Sequence, residues 1–353
     1  MRRALALAAR GWGRVAPNPL VGAVSVRDGE VVGEGWHTGY GLPHAEVEAL
    51  RADSPAARGS TLYVTLEPCS HHGKTPPCTD AIVAAGVRRV VFAASDPNPK
   101  AAGGAEVLRA AGVEVLGGVE ARAALDQNAA FFHAHSAEGA ERPWVALKLA
   151  LSLDGRIADR AGRSVWITGE DSRAEVHRLR AGFDAVAVGI GTALADDPRL
   201  TVRGPVEPRV PPARVVFDRM LRLPPEGELA RTAHQVPVIA VASPDAPAER
   251  REALERLGVR VLEAAGVREG LRALREAGVR SLFCEGGALL ASSLLEDGVV
   301  DRLHLFYAPL FLGAEGVDPF AGLSSPAIEE ARRWRRIDTG AFGPDTHITL
   351  ARE

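Results

Sequence analysis

The residues best suited to chemistry lie between His44 and Cys78. His44, Cys69 and Cys78 offer one imidazole and two thiols, which are three ligands for a tetrahedral zinc ion whose fourth position stays open. Water bound at such a position has its pKa lowered to about 7, so hydroxide is available at neutral pH. Glu46 lies two residues after the histidine and is a harder base than a thiolate, so we expect it to stay unligated and to carry protons.

Other interpretations of these residues remain open. His44 could be a solvated loop histidine, Cys69 and Cys78 could form a disulfide or remain separate buried thiols, and a structural zinc would leave Glu46 without a role. The order of histidine, any residue and glutamate, followed later by Pro-Cys, is the signature of zinc deaminases that act on amino-heterocycles. This signature favours the catalytic interpretation, although a long loop separates Cys69 from Cys78 where the commonest pattern has two residues.

Two helix starts are needed to bring these groups together. Side chains two residues apart on a helix point about 200° apart, so His44 and Glu46 can converge only at its very beginning. Pro43 suits such a start, and the pattern predicts a helix from His44 to about Arg51. Cys78 also follows a proline and precedes a predicted helix over 79–84. Two helix N-termini directed at one zinc ion would help to keep its thiolates ionised.

Length and composition indicate a two-domain globular protein. A chain of 353 residues is too long for one typical core. The stretch 136–143 consists mainly of small and polar residues and ends in proline. This composition is typical of a linker. We therefore expect a boundary near Arg142, with domains at 1–142 and 143–353.

Charge and cysteine content exclude several classes of partner. A net charge of -3 provides no basic field for a nucleic-acid backbone, and no apolar run approaches the ~20 residues of a membrane span. The apolar stretch in Met1–Arg10 is too short for a signal peptide and predicts a first helix instead. Three cysteines do not form a disulfide framework, which favours a cytoplasmic location. The sequence does not give the oligomeric state, and a homo-oligomer is left open.

Strands alternate with helices in both halves, which predicts α/β layers. The predicted elements of the first half are strands 21–26, 31–36, 61–65, 89–94 and 113–116 and helices 104–111 and 120–132 besides those above. The predicted elements of the second half are strands 144–150, 185–188, 214–217, 238–241, 259–262, 281–284, 302–307 and 346–351, with helices 170–181, 248–257, 267–277 and 288–296.

Several separated motifs together resemble one enzyme family. Thr65–Cys78, Ala16–Val24 and Asp96–Pro99 are similar to the bifunctional riboflavin-biosynthesis deaminase/reductases. In the second half the matching segments, in order and spacing, are 148–150, 152–155, 164–168, 195–198 and 285–287. The resemblance covers nearly the whole chain. It implies an N-terminal three-layer cytidine-deaminase-like domain and a C-terminal dihydrofolate-reductase-like domain.

For the first half, the resemblance implies zinc-dependent hydrolytic deamination of a small phosphorylated pyrimidine, 2,5-diamino-6-ribosylamino-4(3H)-pyrimidinone 5′-phosphate. Asn18, His37, His71 and Lys74 would position this substrate. His71 and Lys74 can equally be interpreted as solvated loop residues, and we expect His72 to be exposed.

For the second half, the resemblance implies that NADPH reduces the ribosyl chain to a ribityl chain. The implied cofactor-binding residues are Ala150, Trp166, Thr192, Asp196, Gly287, Ala288, Leu289 and Leu290. The implied substrate-binding residues are Ser164, Arg180, Leu200, Arg203 and Glu285. The two arginines suit a phosphate, although both could be solvated surface charges. Arg219 stands where the family often has serine, which leaves the cofactor contact there open, and the preference for NADPH over NADH rests on the resemblance alone.

Two other classes of function were weighed against this one. A nucleic-acid editing deaminase would share the zinc motif, but it should have a basic groove and stacking aromatic residues. Aromatic residues make up only 5% of this chain, and the second half would have no role. A zinc-stabilised binding module with a degenerate reductase half is disfavoured by the intact Glu46 and the intact motifs of the second half.

Overall fold

The computed structural model describes residues 1–51, 57–164, 166–324 and 326–353. The chain forms two compact units, Met1–Ser136 and Ala137–Glu353, and each is described by itself below. No helix in the described ranges is both long enough and apolar enough to cross a bilayer.

The first unit is a five-stranded sheet with helices packed against it. Its helices are α1 (Arg2–Ala8), α2 (Ala45–Arg51), α3 (Cys78–Ala84), α4 (Gly104–Ala110), α5 (Ala121–Gln127) and α6 (Ala129–Ala134), with a 3-10 turn at Ala9–Gly11. Its strands are β1 (Gly22–Arg27), β2 (Glu30–Trp36), β3 (Thr61–Leu66), β4 (Arg89–Ala94) and β5 (Glu114–Gly117).

The sheet of the first unit has the order β2-β1-β3-β4-β5. Strand β1 is antiparallel to β2 and β3, whereas β3, β4 and β5 are parallel. The β1–β2 connection is the predicted hairpin: Asp28 and Gly29 have φ values of 52° and 85°, as a two-residue type I′ turn requires. Apolar side chains of α2, α3 and α4 pack with the sheet in one core. Strand β3 therefore leads from this core straight into the loop that carries Cys69.

The second unit is a nine-stranded sheet flanked by helices. Its strands are β6 (Trp144–Ser152), β7 (Ala185–Gly189), β8 (Ala213–Phe217), β9 (Val238–Ala242), β10 (Arg260–Glu263), β11 (Ser281–Cys284), β12 (Arg302–Ala308), β13 (Trp334–Phe342) and β14 (Asp345–Arg352). Its helices are α7 (Ala137–Glu141), α8 (Glu170–Arg180), α9 (Ile190–Asp196), α10 (Glu228–Arg231), α11 (Ala248–Arg256), α12 (Val267–Glu276) and α13 (Ala288–Glu296).

The strand order of the second sheet is β10-β9-β8-β7-β11-β6-β12-β14-β13. The first seven strands in this order are parallel, and β14 is antiparallel to both of its neighbours. Buried side chains of β6, β7 and β11 pack with α12 and α13 in the core of this unit. Because parallel strands end at the same edge of a sheet, their carboxyl ends together define one site.

Most predicted elements lie within two residues of the observed ones, with three exceptions described below, and the short helices α9 and α10 were not predicted either. The helix predicted over 120–132 is interrupted at Asn128, whose buried side chain accepts a hydrogen bond from Leu20 N and donates one to Leu20 O. Strand β13 was not predicted, because its side chains are mostly half-buried or exposed and show no apolar alternation. Val165, within the predicted motif 164–168, lies outside the described residues.

The third exception is the stretch predicted as a linker. Residues 137–141 form α7, and the side chain of Arg142 is buried. Its guanidinium binds both carboxylate oxygens of Asp301 at 2.7 Å, and Asp301 also accepts a hydrogen bond from Val145 N. The composition of this stretch does not reveal the distant partner that orders it.

Candidate active sites

Three soft donor atoms converge in the first unit. The Nδ1 atom of His44 lies 3.2 Å from Cys78 Sγ and 3.6 Å from Cys69 Sγ, and the three ligand atoms lie within 4.8 Å of one another. All three cysteines are free thiols, so the disulfide alternative is wrong. One imidazole and two thiols at this spacing fit a tetrahedral zinc ion with one position left for water.

The three donors lie at the ends of three elements: His44 before α2, Cys69 after β3 and Cys78 at the start of α3. His44 immediately precedes α2 and accepts the hydrogen bond of Glu48 N through its carbonyl oxygen, so the helix begins one residue later than predicted. Cys78 is the first residue of α3, and its backbone N–H donates to Cys69 Sγ at 3.4 Å. The Cys78 thiol, His44 and this N–H lower the pKa of the Cys69 thiol, although burial opposes them. A thiol that ionises readily is a ready metal ligand.

Thr75 orients His44, and no sequence pattern predicts this role. Its hydroxyl oxygen lies 3.4 Å from His44 Nε2. When Nδ1 binds a metal ion beside the thiols, Nε2 carries the ring proton and can donate it to Thr75. A hydrogen bond at the second ring nitrogen is the usual way to fix the tautomer of a metal-binding histidine.

Glu46 lies beside this cluster, but its oxygens are not among the clustered ligand atoms. The side chain is 3% exposed, and Oε2 has no hydrogen-bond partner among the described residues. Burial raises the pKa of this carboxyl group to about 7, and the nearby His44 only partly offsets the effect. A carboxyl group that titrates near neutral pH is well matched to accept and return a proton.

Asn18 and His37 form a hydrogen-bonded pair next to the zinc ligands. His37 is buried, its Nδ1 donates to Pro43 O at 3.1 Å, and its Nε2 accepts a hydrogen bond from Asn18 Nδ2 at 3.1 Å. Burial lowers the pKa of His37, which favours the neutral ring that these contacts require. The His37 and His44 rings meet edge to face at 5.4 Å. The structure thus brings both residues to the zinc cluster.

The other two predicted contacts lie on the loop between the cysteines. His71 is partly buried, and its Nδ1 has no hydrogen-bond partner among the described residues. Lys74 is exposed, and its ammonium lies over the ring of Tyr40 at 4.1 Å. His72 is exposed, as expected. The loop therefore offers an imidazole nitrogen and a cation to a ligand.

A second site lies in the second unit at the carboxyl ends of the parallel strands. It is a cavity of about 1800 Å³, larger than the roughly 300–1,000 Å³ of a site for one small ligand. It therefore has room for a dinucleotide and a second molecule. The predicted residues that line it are Ala150, Ser164, Trp166, Arg180, Thr192, Asp196, Leu200, Arg203, Glu285, Gly287, Ala288, Leu289 and Leu290.

The turn between β11 and α13 leaves little space beside its backbone. Gly287 has a φ of 90°, and a Cβ atom added there would lie 3.0 Å from Thr192 Oγ1. Helix α13 begins at Ala288, so its first N–H groups are free of helical partners. A glycine turn that exposes the N-terminus of a nine-residue helix to a cavity fits the phosphates of a dinucleotide such as NADPH.

An ion pair lies in this cavity at the end of β11. Arg180 forms a two-pronged ion pair with Glu285, with Nη2 to Oε2 at 2.9 Å, and its Nη1 donates to Thr201 O at 2.8 Å. Burial alone would raise the pKa of Glu285, but Arg180 and Lys148 outweigh it and lower the pKa. Arg180 is therefore engaged by a carboxylate, which leaves Arg203 as the freer guanidinium.

Lys148 was not among the predicted site residues, although it lines the cavity. Burial lowers the pKa of its ammonium group. The negative charge of Glu285 opposes this shift, and the positive charge of Arg180 adds to it. Its signal in the sequence is a single charge within the otherwise apolar strand β6. A lysine in that setting is unusual for a structural strand.

Comparisons with known proteins agree with this geometry. Residues 1–94 match the cytidine and deoxycytidylate deaminase zinc-binding region, and residues 143–348 match the RibD C-terminal domain. The riboflavin biosynthesis protein RibD of Aquifex aeolicus is 42% identical over 100% of this chain and 97% of its own length. RibD of Escherichia coli is 39% identical over 99% of this chain and 98% of its own length.

Solved structures agree as well. Acinetobacter baumannii RibD superposes with a TM-score of 0.83 at 38% identity, covering 100% of this chain and 97% of that one. A diaminohydroxyphosphoribosylaminopyrimidine deaminase/5-amino-6-(5-phosphoribosylamino)uracil reductase from Thermotoga maritima gives 0.82 at 36% identity, with the same coverage. The chain therefore belongs to the RibD family of riboflavin biosynthesis, bifunctional enzymes with a zinc-binding deaminase domain and an NADPH-dependent reductase domain.

Proposed function

We propose that the two sites act in turn on 2,5-diamino-6-ribosylamino-4(3H)-pyrimidinone 5′-phosphate, by deamination and then by reduction of the ribosyl chain. His44, Cys69 and Cys78 hold zinc, and Glu46 relays protons. The observation that carries this proposal is a buried, unligated carboxylate beside three convergent soft donors. The domains that contain the sites are proposed to be 1–142 and 143–353.

Bound zinc supplies a water molecule that is acidic enough to attack at neutral pH. The water oxygen adds to the ring carbon that bears the 2-amino group, and the bond from that carbon to the amino nitrogen then breaks. Glu46 accepts one proton from the water and passes it to the ring nitrogen. It then accepts the second proton from the added hydroxyl group and passes it to the amino group, which leaves as ammonia. Burial opposes the ionised form of Glu46, which makes it easier for the same carboxyl group both to accept and to return a proton.

Asn18, His37, His71 and Lys74 are proposed to hold the substrate at this site. The neutral His37 ring fixes the Asn18 amide through one hydrogen bond, so the amide can present its oxygen to a ring N–H group. His71 and Lys74 lie on the loop between the two cysteines. They suit the phosphate end, because an ammonium group is a common phosphate ligand.

In the second site, bound NADPH supplies the hydride, and the protein supplies placement and charge. Ala150, Trp166, Thr192, Asp196 and residues 287–290 are proposed to hold the cofactor. The residues proposed to contact the opened ribosyl chain are Ser164, Arg180, Leu200 and Glu285, and Arg203 is proposed to bind its phosphate. Hydride addition to C1′ requires one proton to complete the reduction. Lys148, whose pKa is lowered, is the cavity group best able to donate it.

We further propose a cytoplasmic location, since the zinc-binding thiols must stay reduced and all three cysteines are free. The proposed partner is the small phosphorylated substrate, without nucleic acid or membrane. Sedimentation of the purified protein would test whether it forms a homo-oligomer.

Incubation of the purified protein with the diaminopyrimidinone phosphate tests the proposed function. Ammonia should be released with or without NADPH, and nicotinamide absorbance should fall only after deamination has supplied the second substrate. Oxidation of NADPH without ammonia release would contradict the order of the steps. Failure to release ammonia from zinc-replete protein would contradict the substrate.

A further inference from the structure

Two side chains in the last turn of α8 hold the same short loop. His177 and Arg180 are three residues apart and therefore lie on one face of the helix. Arg180 Nη1 donates to Thr201 O at 2.8 Å, and His177 Nδ1 accepts the backbone N–H of Arg203 at 3.2 Å. Both side chains also line the reductase cavity. One turn of helix thus fixes two backbone atoms of the loop that carries Arg203.

This loop has no regular structure of its own. Residues 197–203 belong to neither a helix nor a strand, and Leu200 has a φ of 52°, which side-chain-bearing residues rarely adopt. Side-chain contacts must therefore select the loop conformation. Arg203 is exposed on it, lines the cavity and has no carboxylate partner in the described parts of the chain.

His177 can act in this way only as a neutral ring. Because Nδ1 accepts a backbone N–H, the ring proton lies on Nε2. Burial and the charges of Arg180 and Arg203 together lower the pKa of His177 to about 4, although Glu285 and the Thr201 backbone oppose them. A charged ring would lose the hydrogen bond and repel both arginines.

We propose that His177 is a positioning residue for the reductase step, which holds the Arg203 backbone so that its guanidinium meets the phosphate of the substrate. This inference rests on the proposed function of the cavity and adds a residue to it. Arg180 is less free than Arg203 to bind the phosphate, because Glu285 and Thr201 O already occupy three of its five N–H groups. The correct placement of one free arginine then decides how tightly the phosphate is held.

The test compares His177→Leu with His177→Asn in the full-length enzyme. Leucine removes the acceptor, whereas the asparagine Oδ1 can take the place of Nδ1. His177→Leu should raise the KM for the phosphorylated substrate of the reductase by roughly 3- to 10-fold, the range of one lost hydrogen bond, with kcat within about twofold. His177→Asn should restore most of the loss. His234→Leu, which removes an exposed histidine outside the cavity, is the matched control.

Two further measurements separate positioning from a general structural effect. The KM for the same substrate without its phosphate should not change in His177→Leu. In an Arg203→Ala background, the second substitution should add nothing, because residues that act through one contact are not additive. Equal losses on both substrates, additive losses or a loss confined to kcat would overturn the proposal. A wild-type enzyme that fails to reduce the substrate would instead overturn the proposed function itself.

Discussion

Replacing Glu46 by glutamine tests the deaminase mechanism most directly. The amide has nearly the same shape as the carboxyl group and fits the same buried space, but it cannot relay a proton. One positioned acid–base group contributes about 10²–10⁴ in rate, and Glu46 serves more than one transfer. We therefore expect deamination to fall by at least about 10³-fold while zinc stays bound, since Glu46 is not among the clustered donor atoms.

The same substitution should stabilise the metal-free protein at high pH. The folded pKa of Glu46 is raised from its ordinary 4.5 to about 7, so the folded state favours the neutral carboxyl group. The resulting cost of ionisation is absent below pH 4.5, grows between pH 4.5 and 7, and reaches about 3 kcal/mol above that range. Glutamine never ionises, so Glu46→Gln should unfold at a higher temperature than the wild type at pH 8 and at a similar temperature at pH 4.

The measurements are ammonia release, zinc content and thermal unfolding after chelation. Glu48→Gln is the matched control, because Glu48 lies on the same helix but is partly exposed and pairs with Arg51. That control should keep its activity. Turnover by zinc-loaded Glu46→Gln at the wild-type rate would remove Glu46 from the mechanism. Loss of zinc from the variant would show that Glu46 is a ligand.

Three further predictions concern single contacts. Cys78→Ser should lose zinc and ammonia release but retain NADPH oxidation with the deaminated substrate, because the two sites lie in separate compact units; zinc analysis and both assays check this. Arg203→Ala should raise the KM for the phosphorylated reductase substrate about tenfold or more, since a charge-assisted hydrogen bond contributes about 1.5–3 kcal/mol, and an unchanged KM would rule out the phosphate contact. Asp301→Leu should destabilise the protein by about 3 kcal/mol in denaturant unfolding, because it leaves the buried Arg142 without its two-pronged partner; a change below about 1 kcal/mol would show that Glu138 suffices to pair it.

Local sequence patterns predicted the zinc site because its chemistry is local. Proline before His44 and before Cys78 marks two helix starts, and the structure has helices beginning at Ala45 and at Cys78 itself. The Glu-Gly-Gly turn before α13 was likewise visible, because a glycine turn and a helix start are both encoded by neighbouring residues. The family resemblance then supplied roles that spacing alone could not.

Contacts between distant residues could not be predicted in this way. Asn128 interrupts a helix because its side chain binds the backbone of Leu20, 108 residues away. His177 looks like an ordinary residue of a polar helix until the fold brings the backbone of Arg203 to its ring. Arg180 was expected at a phosphate, and only the structure shows how fully Glu285 engages it.

Glu46 and Glu285 show how the surroundings assign different work to the same side chain. Glu46 is buried and has no lysine or arginine partner among the described residues, so burial raises its pKa to about 7. The side chain of Glu285 is 10% exposed, and although burial opposes its ionisation, Arg180 and Lys148 lower its pKa. Glu285 is therefore a fixed negative charge at neutral pH, able to accept hydrogen bonds from a ligand and to hold its cationic neighbours in place. The absence of a lysine or arginine beside Glu46 suits it to proton relay in the first unit. The presence of two such cations beside Glu285 suits it to ligand placement in the second unit.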